Sequence, residues 1–148
     1  MKRLVKVLAV VLVLGLLTTA VVSAEQAEGT GTIKAIGAGV ARVEGDGRVE
    51  IRGLGIGTVW VRGAEDLRAA GRGIRWDLPG GVVYFVGWSG HIEARGENMV
   101  VNMAGSLIEF KATGTGTVYL KGRGHYWING EEGLWSTDGA AVQLQLSP

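Results

Sequence analysis

The stretch GTGTIKAIGAGVARVEGDGRVEIRGLGIGTVWVRG, residues 29–63, decides the fold. Small and apolar residues occupy its odd positions: Ile33, Ala35, Ala41, Val43, Val49, Ile51, Val59 and Val61, with Gly at most of the others. The even positions carry Lys34, Arg42, Glu44, Asp46, Arg48, Glu50, Arg52 and Arg62. A period of two places alternate side chains on opposite faces of a strand, one packed and one wet. A helix would need apolar residues three and four apart, and this stretch does not supply them.

A longer period lies over the first. The unit G-x-G-x-Φ-x-Φ-x, eight residues with Φ apolar, starts near Gly29, Gly37 and Gly45, and again at Gly53 with a two-residue insertion. It returns at Gly114 and Gly122, where residues 114–130 match residues 29–45 at seven of seventeen positions. Two architectures fit. If each G-x-G is a tight hairpin loop with Gly in the left-handed region, short strands build an antiparallel β-sandwich or barrel. If each G-x-G is a corner, the chain forms a β-solenoid. Gly45-Asp46-Gly47 favours the hairpin, so the sequence predicts an all-β, antiparallel sandwich or barrel, with the solenoid as the alternative.

Between the repeats the pattern loosens. Residues 64–81 are expected to be a loop or irregular excursion, with a helix-compatible patch at 66–70 and a turn at Pro79-Gly80-Gly81. After it the even residues Val82, Tyr84, Val86, Trp88, Ile92 and Ala94 form the packed set, which leaves Phe85 outward. Met99, Val100, Val101 and Met103 predict a strand covered on both faces, Ile108, Phe110 and Ala112 a one-sided strand, and Val142, Leu144 and Leu146 a last one.

Ahead of the repeats, Lys2, Arg3 and Lys6 precede an uncharged run from Val7 to Ala24 ending in Val22-Ser23-Ala24. That is the tripartite secretory pattern, with a retained N-terminal anchor as the alternative. The expected organisation is a signal peptide or uncleaved anchor over 1–24, a short linker over 25–28 and one Gly-rich β domain over 29–148. The expected location is secreted or cell-envelope, with membrane attachment only through an uncleaved leader. The three leader cations belong to fifteen Lys and Arg. Twelve remain against fourteen Asp and Glu, a net charge of −2. No basic block is left to follow a phosphate backbone, so nucleic acid is not an expected partner. There is no Cys, which removes disulfides and thiolate metal sites.

The runs GTGTIKAIGAGVARVEG and GTGTVYLKGRGHYWING, with DLPGGVVYFVGW and GHIEARG between them, resemble those of small Gly-rich exported proteins of bacteria and archaea without an assigned function. A fainter similarity links them to the Gly-rich β-solenoid heads of surface adhesins. The resemblance implies an exported β domain and brings no catalytic residues.

The residues offer little for catalysis. His91 and His125 have the outward parity of their strands, and no G-x-S-x-G elbow accompanies Ser89 or Ser106. Glu93, Glu97 and Glu109 could pair for glycoside hydrolysis, but Glu93 is expected to point into solvent, and Glu131-Glu132 reads as a turn. Only Asp46 sits inside a G-x-G, which excludes a repeated calcium loop. No catalytic, metal-binding or cofactor-binding residue is therefore expected. The aromatics Trp60, Phe85, Tyr119 and Trp127 fall on the wet parity. Of these, Trp60, Tyr119 and Trp127 are the candidate contact residues, for a protein partner, for copies of the chain itself, or for a surface polysaccharide. The expected function is a non-enzymatic exported domain acting through contact or self-association. A carbohydrate-binding module is the alternative, and a small hydrolase using Glu93 or Glu109 a more remote one.

Overall fold

A computed structural model describes residues 26–27, 31–128 and 130–144. The leader over 1–24 lies outside the described residues. Among those residues all regular structure is strand: β1 (Gln26–Ala27), β2 (Thr32–Arg62), β3 (Asp66–Leu78), β4 (Val82–Ile128), β5 (Glu131–Leu134) and β6 (Ala140–Leu144). The protein is all-β, and its main ladder, β2 against β4, is antiparallel. The sheet does not close on itself, which removes the barrel.

Strand length departs from expectation. β2 runs for 31 residues and β4 for 47, so the G-x-G strings lie inside strands and do not join short ones as hairpins. The register gives the reason. Ile33 pairs with both Ala112 and Ile128, and Ala112 with both Ile33 and Val49. β2 therefore borders β4 on each side, at positions sixteen residues apart. A strand flanked twice by the same partner must wind, and the β2–β4 ribbon coils with a repeat that lengthens from sixteen residues at Ile33 to eighteen at Val49 and Val59.

Coiling requires repeated bends in which the ladder survives, and stacked glycines provide them. Gly45 pairs with Gly116 and Gly47 with Gly114. Gly45 has φ 143° and Gly116 φ 157°, values open to residues without a Cβ. A Cβ on Gly45 would overlap the carbonyl oxygen of Thr115, and one on Gly116 that of Glu44. The likeness of residues 29–45 to 114–130 thus has a structural counterpart, since these segments are ladder partners over most of their length.

The apolar pairs between bends fill one core. Ile33, Val49, Ile51, Ile92, Ile108 and Phe110 come from one set of rows, and Ala41, Val59, Val61, Phe85, Val101, Val118 and Leu120 from the other. Each is at most 2% exposed. Odd parity inward holds in β2 from Ile33 to Ile51 and again at Val59 and Val61, and Val100 is buried beside Met99 and Val101 as the two-sided apolar run predicts.

Several local expectations are corrected. Residues 66–78 are a strand, not an irregular excursion, although the turn at 79–81 forms as read. Phe85 is fully buried, not outward. Gly87 at φ 58° accompanies a register shift that lets both Phe85 and Trp88 face the core, although they are three apart. Glu131 and Glu132 begin β5 and do not form a turn. Gln26 and Ala27, read as linker, pair in parallel with Gln143 and Leu144 of β6.

Candidate functional site

Cross-strand partners share a face, so the register converts directly into rows of outward side chains. One row reads Tyr119, Arg42, Asn102, Trp60, Tyr84, Trp76, stepping from β4 to β2, β4, β2, β4 and β3. Neighbouring strands are spaced by about 4.8 Å. Trp76, Tyr84 and Trp60 are thus immediate neighbours, with Tyr119 three steps further on. Beside them, Ile74 partners Val86 and Leu78 partners Val82. The β3 end of this face is apolar and aromatic, and Ile74, Trp76 and Leu78 are 51%, 56% and 43% exposed. At the other end Arg42 pairs with Glu44, and a depression forms between Val40, Arg42, Asn102, Thr117 and Tyr119.

Of the three contact residues drawn from the sequence, Trp60 and Tyr119 share this row. Trp127 does not join them. It lies in the row Trp127, Lys34, Lys111, Glu50, Glu93, Arg68, on the rows backed by Ile33 and Ile51. There it stacks against His125, with ring centroids 6.1 Å apart and planes 18° from parallel. Its surroundings are charged, since Lys34, Lys111, Glu50, Arg52 and Glu109 line the same groove.

That second face is an ion-pair array. The Arg48 guanidinium reaches Glu50 at 2.5 Å and Glu93 at 2.8 Å, and Arg95 reaches Glu93 at 3.3 Å. The Glu93 side chain is only 15% exposed, a correction to the solvent-facing reading. His91 adds a third potential ligand, and one ligand atom from each of Glu50, His91 and Glu93 lies within 4.8 Å of the others. Sequence reasoning missed this grouping, because it depends on which strands become neighbours. Arg48 already supplies both carboxylates with a cation, so a metal ion would have to displace it. Glu93 and Glu109 stand two strands apart on adjacent rows, about 12 Å at the standard spacings. His125 Nδ1 meets Glu132 at 2.5 Å, half exposed, in a surface pair between β4 and β5.

Sequence reasoning also missed Trp76, Ile74 and Leu78, having assigned them to a loop, and Tyr84, assigned to the packed set. A signal was present: Ile74-Arg75-Trp76-Asp77-Leu78 alternates apolar and charged with period two.

No protein-family model and no curated protein sequence matches this chain.

Proposed function

We propose that this protein is a non-enzymatic, exported β domain that works through contact with copies of itself. Its contact surface is the apolar end of the Tyr119–Trp76 face. The observation carrying this reading is the exposure of Ile74, Trp76 and Leu78 on β3, which among the described residues pairs with β4 alone. An edge strand with unpaired backbone groups and large exposed apolar side chains is a ready site for association. Export rests on the leader pattern of residues 1–24.

The test is a concentration series of the purified protein in light scattering. The expected result is a mass that rises with concentration and falls back on Trp76→Ala, with Trp127→Ala behaving as wild type. A mass that stays monomeric across the series would remove the reading.

A second reading has its own support. Trp60 and Tyr119 bracket Arg42 and Asn102 on a continuous row, an arrangement of aromatic faces and hydrogen-bonding groups suited to a sugar chain. Polysaccharide would then quench the Trp fluorescence, and Trp60→Ala would abolish the quenching. No response across a glycan panel eliminates this alternative.

A further inference from the structure

The two ends of the coiled sheet differ. The edge formed by residues 116–128 of β4 is covered by β5 and β6, and β1 pairs outside β6. At the opposite edge β3 has no strand beyond it among the described residues. All of residues 71–80 are exposed.

The exposed edge is self-complementary. In the segment Ile74-Arg75-Trp76-Asp77-Leu78, reversal about Trp76 exchanges Ile with Leu and Arg with Asp. Two antiparallel copies centred on Trp76 therefore place Arg75 opposite the partner's Asp77, and Asp77 opposite the partner's Arg75. Ile74 meets the partner's Leu78, and the two Trp76 side chains face each other. By symmetry Leu78 also meets the partner's Ile74, and all five are favourable cross-strand pairs. Registers displaced by two residues in either direction lose the mutual Arg–Asp match. Arg75 and Asp77 are 3.2 Å apart within one chain, with side chains 41% and 69% exposed, so both are available to exchange partners.

We infer that the protein forms a two-fold dimer by antiparallel pairing of the β3 edges, in the register that centres Trp76 on the symmetry axis. This rests on the contact reading above and specifies its partner as a second copy and its register. The pairing satisfies the free edge of β3, joins the two aromatic faces into one surface, and sets Ile74, Trp76 and Leu78 of each copy beside those of the other.

Charge reversal tests the register. Arg75→Asp places Asp opposite the partner's Asp77, and Asp77→Arg places Arg opposite the partner's Arg75, so each variant repels itself twice. Mixed together, the two variants restore both attractive pairs. Sedimentation velocity should show a wild-type dimer, each single variant at least about tenfold weaker in self-association, and dimer recovered in the equimolar mixture. The recovery also shows that the single variants are folded. Single variants that associate as wild type does, or a mixture that recovers nothing, would overturn the register while leaving the contact reading intact. A wild-type protein that stays monomeric would overturn both.

Discussion

Asp46 Oδ1 accepts a hydrogen bond of 2.7 Å from the backbone N–H of Asn98, fifty-two residues away along the chain. Asn98 has φ 51°, the one described non-glycine residue with positive φ. Asn tolerates this region far better than a β-branched residue does. Asp46→Ala is expected to cost about 1 kcal/mol, an exposed charge-assisted bond being worth less than a buried one. Asn98→Val should cost about 1–2 kcal/mol, while Asn98→Gly should cost nothing measurable. Urea denaturation of the three variants checks the ordering.

The paired glycines make a sharper prediction. Gly45→Ala introduces a Cβ into the Thr115 carbonyl at a positive φ, and is expected to cost about 3 kcal/mol or more. Gly80 also has positive φ, but a Cβ there would meet nothing within 4 Å. Gly80→Ala should therefore cost only about 1 kcal/mol. Equal melting temperatures for the two variants would mean that stacking of glycines does not hold the bends.

Burial separates two aromatics that looked alike in the sequence. Phe85 is fully buried, lies 5.0 Å from Trp88 in an edge-on arrangement, and has the Arg75 guanidinium 5.6 Å from its ring centre. Phe85→Ala should lose about 3–5 kcal/mol of stability. Trp127→Ala should stay within about 0.5 kcal/mol of wild type. Thermal unfolding followed by circular dichroism measures both.

Arg48 balances two carboxylates, one of them largely withdrawn from water. Arg48→Ala leaves Glu50 beside Glu93 and should cost about 1–2 kcal/mol. Glu93→Gln added to that variant should recover part of the loss. Arg68→Ala is the control: its side chain is 76% exposed and 3.4 Å from Asp66, a surface pair worth at most about 0.5 kcal/mol. Identical effects of Arg48→Ala and Arg68→Ala would count against the special position of Glu93.

Parity in the sequence was a reliable guide wherever it ran uninterrupted. Ile33 to Val61 alternate as their residue types require, and the core along β2 follows from that alone. The guide failed where one residue changed the phase, as at Gly87, because a bulge has no compositional mark beyond a glycine among many. It failed again over 66–78, where Ala69, Ala70, Gly71 and Gly73 dilute an alternation that is clear only from Ile74 onward. Long-range neighbours were out of reach for a different reason. Nothing local says that Ile33 lies between Ala112 and Ile128, so neither the Tyr119–Trp76 row nor the Glu50–His91–Glu93 cluster could be assembled in advance. Trp60 and Tyr119 were legible as outward aromatics. That Trp127 belongs to a different face was not.

The interleaving of β2 with β4 also governs the order in which the molecule can assemble. Every ladder partner of residues 32–62 lies between residues 82 and 128. A chain made from its N-terminus therefore offers its first strand nothing to pair with until the turn at 79–81 and the segment beyond it exist. Folding can start at that turn and wind both arms back together, closing ever longer loops and so proceeding slowly. Residues 32–62 thus stay without their ladder until the chain has grown past residue 82, and both flanks of the core then form together.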